Sequence, residues 1–348
     1  MNILKRAFKI TGVLCLLLFT TLFIYTCAAV PKLSKTDKAI INTVMKSPLP
    51  ELVTGETGFA QSRTHRIWYE RIQPTETAKG SILLIMGHGN DAFSWPPNFI
   101  SGFVDQGYEV IRFDHRGTGL SSSTEKWKKK KAYTLDDMSE DAIAILDTLQ
   151  LEKAHLVGVS MGGMIAQLAA INHPEKFESL TLIMTTGDAM DEELDPMSED
   201  LLPKMISAVL KHGVVGGKEG KIKLQIVQRK LLMGDATGEI DVKALAEASL
   251  YNQEKRDGYH FITARHHQQA ILLSSSRYEA LRKMQRPTLI IHGAEDPVIP
   301  ISHGKKLATT IPNTHSLWVS NMGHDLPDMA IPKICEKMIS HFESSIGK

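Results

Sequence analysis

Short apolar runs alternate with helical patterns along most of the chain. The run SILLIMG at residues 81–87 is continuous and ends in glycine, which is typical of a strand buried on both faces of a parallel sheet. Residues 136–151 place apolar side chains three and four positions apart, as an amphipathic helix does. Further apolar runs lie at residues 108–114, 154–160, 179–185, 287–293 and 315–320. The alternation predicts an α/β fold, a mostly parallel sheet with helices on both faces.

Two stretches depart from this alternation. Residues 66–72 (RIWYERI) alternate apolar and polar side chains, which predicts a half-exposed strand ahead of the buried ones. From Asp188 to Arg286 the pattern is helical, without a convincing buried strand, and this stretch lies between two strands of the same predicted sheet. We therefore expect an inserted helical cap. The predicted divisions are an N-terminal segment (1–30), a tether (31–58), a first core part (59–187), the cap (188–286) and a second core part (287–348).

The N-terminal segment is basic at first and then strongly apolar. Three of the first nine residues are Lys or Arg, and residues 10–30 carry no charge. That stretch is longer than the roughly 7–15 apolar residues of a secretory signal and close to the roughly 20 that span a bilayer. We expect an N-terminal hydrophobic helix that is either a retained membrane anchor or a signal peptide cleaved near TCAAV (26–30). Either one exports the body of the protein. Lipidation of Cys27 is a weaker alternative.

Bulk composition narrows the possible partners and cofactors. With 40 basic and 39 acidic residues the formal net charge is +1, which argues against nucleic acid as a partner. Two of the three cysteines lie in the N-terminal segment, so Cys335 is alone in the body and cannot form an internal disulfide framework. His266 and His267 have no accompanying ligand set, and the sequence lacks the glycine pattern of a dinucleotide-binding loop. We therefore predict no metal and no cofactor.

The sequence Gly158-Val159-Ser160-Met161-Gly162 fits the pattern G-x-S-x-G. An apolar strand precedes it and a helical pattern follows it, which is the arrangement of a nucleophile elbow. In such a turn the serine hydroxyl is lifted clear of the sheet, and the backbone N–H of Met161 lies at a helix N-terminus. That position suits a developing oxyanion. Ser160 is therefore the predicted nucleophile.

A serine nucleophile needs a base, and the base needs a carboxylate to orient it. Open parallel sheets present such groups where their strands end. Asp296 follows the run 287–293 and His324 follows the last run, which is the chain order expected of a triad with a nucleophile elbow. Glu295 is expected to point away. The alternatives are Asp188 as the carboxylate and, as the base, His303, His315 or His341.

At these motifs the chain resembles the α/β-hydrolases, in particular the serine esterase and lipase-like members and the branch that contains aclacinomycin methylesterase. The resemblance lies in LLIMGHGNDAFSW, VIRFDHRGTGLSS, HLVGVSMGGMIAQLAA, LIIHGAEDPVIP and MGHDLP. It extends over residues 60–345, apart from the details of the cap. It implies the α/β-hydrolase fold and the catalytic triad, but not the substrate.

The resemblance also implies a second oxyanion donor directly after the first long buried strand. Aligning residues 86–87 with the corresponding pair of the family assigns the backbone N–H of His88, whereas a shifted register assigns that of Asn90. We favour His88 because the apolar strand runs directly into residue 86. The predicted oxyanion hole is then formed by the N–H groups of His88 and Met161, and the side chain of His88 is a pocket wall or a support behind it.

These residues predict a serine hydrolase that cleaves carboxylic esters of small molecules. Amide, lactone or carbon–carbon bond hydrolysis and cofactor-free perhydrolysis use the same triad and stay open, because the cap and pocket choose the substrate. A non-catalytic ligand-binding protein is disfavoured, since such proteins often lose a triad residue and all three are present. The basic segment KWKKKK (126–131) is either a solvated loop or a patch that attracts anionic lipid headgroups.

Overall fold

The structure is a computed structural model that describes residues 30–123, 133–214, 216–258 and 261–346. Apart from Val30, the predicted N-terminal hydrophobic helix lies outside the described residues, as does the basic segment 126–131. Within the described ranges, no helix has both the length and the apolar composition needed to cross a membrane.

Eight strands form one sheet in the spatial order β1-β2-β4-β3-β5-β6-β7-β8. Their bounds are Glu56–Ser62 (β1), His65–Ile72 (β2), Ser81–Ile85 (β3), Glu109–Phe113 (β4), Ala154–Val159 (β5), Phe177–Ile183 (β6), Thr288–Gly293 (β7) and Thr314–Val319 (β8). β2 pairs antiparallel with both β1 and β4, and the remaining neighbours pair in parallel. The prediction of a mostly parallel α/β sheet is therefore confirmed.

Helices cover both faces of this sheet. Their bounds are Lys35–Lys46 (α1), Pro97–Val104 (α2), Leu135–Thr148 (α3), Met161–Asn172 (α4), Leu201–Ala208 (α5), Gly217–Leu232 (α6), Val242–Lys255 (α7), Phe261–Leu272 (α8), Tyr278–Leu281 (α9), Ile301–Thr310 (α10) and Ile331–Ser345 (α11). α3, α4 and α10 pack on one face, around buried side chains such as Ile145 and Ile165. α2 and α11 pack on the other face, where Phe99 and Phe342 are fully buried. Each such side chain stabilises the fold by roughly 1.5–3 kcal/mol.

The helices α5 to α9 lie between β6 and β7, in the stretch predicted as a cap. α1 packs against α6 and α7, because Ile41 and Val44 belong to the same buried cluster as Ile222 and Leu250. The predicted tether (31–58) is therefore packed onto the body in this structure. The sequence of residues 31–58 resembles that of a linker because only a narrow stripe of α1 is apolar.

The first two strands, β1 and β2, differ most from the sequence expectation. β1 begins inside the predicted tether and contains few apolar residues, so its strand character comes from pairing with β2. β2 was predicted to be half-exposed, and that prediction is wrong at Glu70, whose side chain is fully buried. Glu70 accepts hydrogen bonds from Arg112 Nε at 2.7 Å and from the backbone N–H of Gly55 at 2.8 Å. A charged side chain is buried here because both its carboxylate oxygens have partners.

Candidate active site

Ser160 occupies a single-residue turn between β5 and α4. Its φ of 55° lies in the left-handed region, which is strained for a residue with a side chain. The turn is fixed on both sides: the Ser160 N–H donates to the carbonyl of Ile183 at 3.0 Å, and the Ser160 carbonyl accepts from Thr185 Oγ1 at 2.7 Å. The side chain is partly exposed in an otherwise buried region. The elbow predicted from the sequence is present.

The two flanking glycines are required by close approach of the backbone. A Cβ atom at Gly158 would collide with the carbonyl of Gly162, and one at Gly162 would collide with the carbonyl of Ile85 in β3. Neither residue needs a positive φ, so the requirement is lack of a side chain. The glycines of the motif thus let α4 begin directly against the sheet.

The structure brings Ser160, His324 and Asp296 into one chain of hydrogen bonds. His324 Nε2 lies 2.9 Å from Ser160 Oγ, and His324 Nδ1 lies 2.8 Å from Asp296 Oδ2. The other oxygen of Asp296 accepts the backbone N–H groups of Val298 and Ile299 at 2.8 and 2.9 Å. Asp296 follows β7 and His324 follows β8, so parallel strands deliver both side chains to the same edge of the sheet.

The surroundings of Asp296 keep its carboxylate ionised. Burial by itself would raise the pKa, but the charge of His324 and hydrogen bonds from His292 and His324 outweigh it, and the net pKa is lowered. The Asp296 side chain has no solvent exposure and that of His324 is 9% exposed. A buried anion therefore faces Nδ1 of His324 and fixes a proton there, which leaves Nε2 free to accept one from Ser160.

The alternative carboxylates lie elsewhere. Asp188 Oδ1 accepts the backbone N–H of Met190 at 2.8 Å, and Glu295 is exposed. In the hydrogen bonds of the described residues, neither of them reaches His324. Asp296 is thus the carboxylate that the fold places behind this histidine.

The alternative bases are engaged elsewhere, exposed or buried in another element. His303 Nδ1 lies 2.9 Å from Thr186 Oγ1, and His303 Nε2 donates to the carbonyl of Asp195 at 3.1 Å. His315 is exposed on β8, and His341 is buried in α11.

The loop after β3 lies against Ser160, since a Cβ atom at Gly87 would be 3.3 Å from that of Ser160. The backbone N–H groups of this loop have different hydrogen-bond acceptors. The N–H of Gly89 donates to His267 Nδ1 at 3.0 Å, and the N–H of Asn90 donates to the carbonyl of Gly87 at 3.4 Å. Within the described residues, no acceptor pairs with the N–H of His88. This geometry favours the His88 register over the Asn90 register.

Met161 is the first residue of α4 and fully buried, and its N–H also has no acceptor among the described residues. The first amides of a helix carry partial positive charge and have no partner within the helix. Unpaired amides in buried regions are uncommon in proteins. The N–H groups of His88 and Met161 are therefore the candidates for binding an external oxygen atom.

Two buried histidines near this loop were missed by the sequence analysis. His115 Nε2 donates to the carbonyl of Met86 at 2.7 Å, and burial lowers the pKa of His115 to about 4. His267, which drew attention only as a possible metal ligand, is fully buried, and burial lowers its pKa well below the usual value. In the described part of the chain no group of side chains is placed to hold a metal ion. No local pattern marks these histidines, because their partners are distant backbone groups.

Residues 80–327 match the family model described as alpha/beta hydrolase fold. The chain belongs to the α/β-hydrolase family and is an enzyme. The resemblance identified from its motifs is confirmed.

The chain is 30% identical over 285 residues to rhodomycin D methylesterase from Streptomyces peucetius, which covers 75% of this chain and 89% of that protein. It is 29% identical over 220 residues to 3-oxoadipate enol-lactonase 2 from Acinetobacter baylyi, covering 61% and 70%. The solved structure of a membrane phospholipase A, described as a bacterial virulence factor, superimposes with a TM-score of 0.60 at 18% identity. It covers 99% of this chain and 100% of that one and shows a shared fold.

Proposed function

We propose that this enzyme is a serine hydrolase that cleaves carboxylic esters of small molecules through an acyl-enzyme. The observation that carries the proposal is the continuous hydrogen-bond chain from Ser160 Oγ through His324 to Asp296. The similarity to a methylesterase over three quarters of the chain supports an ester as substrate.

In the proposed mechanism, His324 Nε2 takes the proton of Ser160 as Oγ attacks the ester carbonyl carbon. The ionised Asp296 keeps the other imidazole proton on Nδ1 and stabilises the imidazolium that forms. His324 then protonates the departing alkoxide. Water, deprotonated by the same nitrogen, attacks the acyl-enzyme and releases the acid. Each proton moves between residues of this chain, substrate and water, so the mechanism requires no cofactor.

The tetrahedral intermediate carries negative charge on the former carbonyl oxygen. We assign its stabilisation to the backbone N–H groups of His88 and Met161, which have no acceptor among the described residues. Preorganised donors of this kind contribute roughly 10²–10³ in kcat each. Since both donors are backbone groups, substitution of their side chains leaves them in place.

Lactone hydrolysis is a second candidate, because a lactone is a cyclic ester and the similarity to an enol-lactonase favours it. The same triad would open the ring without releasing a separate alcohol. Amide cleavage, carbon–carbon bond cleavage and perhydrolysis use the same triad and are further alternatives. A screen of short p-nitrophenyl esters, lactones and amides ranks these substrates by kcat/KM.

The test of the proposal is Ser160→Ala in the full-length protein. The variant should lose turnover of p-nitrophenyl esters and covalent labelling by a fluorophosphonate probe while keeping the wild-type melting temperature. Retained turnover of p-nitrophenyl esters in this variant would contradict the proposal. Failure of the wild-type protein to react with the probe would favour a ligand-binding role instead.

The proposed location is outside the cytoplasm, through residues 10–30 as an anchor or through a cleaved signal. The support is the sequence alone: an uncharged stretch of bilayer length after a basic start. Mass spectrometry of the N-terminus of the mature protein separates cleavage from anchoring. Alkaline extraction of membranes should leave an uncleaved form in the pellet. Liposome binding with and without neutralised lysines in 126–131 tests the basic segment.

A further inference from the structure

The loop that carries the His88 amide is held from outside by two histidine side chains. His115 lies in the loop after β4 and donates from Nε2 to the carbonyl of Met86, at the start of the loop. His267 lies in the cap helix α8, and its Nδ1 accepts the N–H of Gly89, the residue after His88. The unpaired N–H of His88 is therefore bracketed by two fixed points.

α8 and the loop after β3 are joined by two hydrogen bonds, one through a side chain of α8 and one through a side chain of the loop. While His267 accepts from the loop, the side chain of His88 donates from Nε2 to the carbonyl of Ala264 at 2.7 Å, almost one turn earlier in α8. A cap helix is thus bonded directly to the segment that carries a proposed oxyanion donor.

α8 is itself fixed to the core at a third place. Thr263 Oγ1 donates to the carbonyl of Gly117 at 2.8 Å, and His267 Nε2 lies 3.4 Å from the carbonyl of Arg116. Both carbonyls belong to the loop after β4, where His115 also lies. The cap helix, the loop after β4 and the loop after β3 therefore form one connected unit beside Ser160.

We propose that His267 is a positioning residue, which holds the oxyanion loop in its productive conformation by accepting the Gly89 N–H. The inference deepens the proposed function and rests on it. It makes the oxyanion hole depend on the cap, so that a displacement of α8 would also displace the His88 amide.

The hydrogen bonds define the form of His267 that can do this. A backbone N–H only donates, so Nδ1 must be bare, and the single proton of the neutral ring lies on Nε2, toward the carbonyl of Arg116. A proton on Nδ1 would point at the N–H of Gly89, so two hydrogen-bond donors would face each other and the hydrogen bond would be lost. The neutral form is favoured because the ring is buried beside His115 and His88, which lowers the pKa of His267.

The decisive comparison is between His267→Asn and His267→Gln. An Asn side chain places its oxygen near the position of Nδ1 and can accept from Gly89, whereas a Gln side chain reaches the position of Nε2 and serves Arg116 instead. We expect kcat for a p-nitrophenyl ester to fall roughly 10–100-fold in His267→Gln and in His267→Phe, with KM changed less than about threefold. His267→Asn should recover most of the lost kcat.

A second measurement reports on the oxyanion hole itself. A trifluoromethyl ketone forms a tetrahedral adduct with a serine, and the adduct carries an oxyanion. Its affinity should fall by the same factor as kcat in the Gln and Phe variants. A purely structural role for His267 would lower the melting temperature without this parallel loss.

The matched control is His155→Phe, which removes another buried histidine. His155 bonds Ser179 Oγ at 2.9 Å and stacks on Phe342 of α11, and neither partner belongs to the loop after β3 or to α8. This variant should lose stability and keep kcat. Equal kcat for the Asn and Gln variants at position 267, or wild-type kcat in both, would overturn the inference.

The proposed function fails separately, through retained turnover in Ser160→Ala. An enzyme that passes the Ser160 test while the two His267 variants behave alike contradicts the positioning role alone. If His267→Phe does not fold, the order of the Asn and Gln variants still decides.

Discussion

Arg256 and Asp114 form an ion pair in which the side chains are only 1% and 0% exposed. Arg256 comes directly after α7 in the cap, and Asp114 comes directly after β4 in the core. The guanidinium also lies over the rings of Trp68 and Phe93, at 4.1 and 4.3 Å from their centroids. The pair therefore links the cap to the core at a point that precedes, in the sequence, the helix α8 that carries His267.

Replacing Arg256 with Met should lower the free energy of unfolding by roughly 3–5 kcal/mol, because it leaves the Asp114 carboxylate buried without its cation. The double variant Arg256→Met with Asp114→Asn should recover only part of this loss: neither charge is left, but the Asn NH2 group then faces the backbone N–H of Ala92 or Leu120, each of which donates to an Asp114 oxygen. Urea unfolding measures both. As a control, Glu279→Gln breaks an exposed pair with Lys283 and should leave stability unchanged. A single Arg256 variant as stable as this control contradicts the prediction.

The elbow glycines should not tolerate a methyl group. Gly158→Ala and Gly162→Ala each force a Cβ into a backbone carbonyl, so we expect a loss of roughly 1–3 kcal/mol in stability and ester hydrolysis reduced to near background. Gly80→Ala is the control, because its Cβ would make an ordinary contact with His155 at 3.5 Å. Melting curves and kcat are compared for the three variants. Wild-type activity in either elbow variant would show that the close approach is not needed.

Asp296→Asn should lower kcat by roughly 10⁴-fold, because an amide cannot fix the proton on Nδ1 of His324 or stabilise the imidazolium. Asp188→Asn, at the alternative position, should leave kcat near the wild-type value, since its carboxylate bonds only the nearby loop in the described structure. Steady-state kinetics with one p-nitrophenyl ester compares the two. The reverse order of effects would move the catalytic carboxylate to Asp188.

The convergence of Ser160, Asp296 and His324 was predictable from the sequence for a geometric reason. They are separated by 28 to 164 positions, but each follows an apolar strand, and parallel strands end at one edge of the sheet. The strand pattern therefore located the candidate site without knowledge of any contact. The glycines on either side of Ser160 indicated which strand end carries the predicted nucleophile.

The features that were missed depend on contacts between distant segments. Glu70 is polar yet buried, because Arg112 of the neighbouring strand β4 and two backbone amides bond its carboxylate oxygens. His267 is buried because it accepts an amide from a loop 178 positions away. β1 has almost no apolar pattern and becomes a strand only by pairing with β2. The periodicity of apolar residues indicates which face of an element is buried. It does not indicate which polar group from a distant segment bonds to a side chain on that face.

Three buried histidines predict that the fold is destabilised by mild acid. Burial lowers the pKa of His115, His155 and His341 to about 4 in the folded protein, against 6.5 as the ordinary value. Between these two values the unfolded chain binds more protons than the folded one, so stability falls as pH falls from 6.5 toward 4.

This loss is largest at the low end of that window, on the order of 2–3 kcal/mol for each histidine. The melting temperature should therefore be nearly constant from pH 7 to 8 and fall steeply below 6.5. His155→Asn keeps a side chain that can bond Ser179 but has no group that titrates in this range. Its melting temperature should fall less steeply with acid than that of the wild type. Parallel curves for the two proteins would mean that His155 does not contribute to the acid sensitivity.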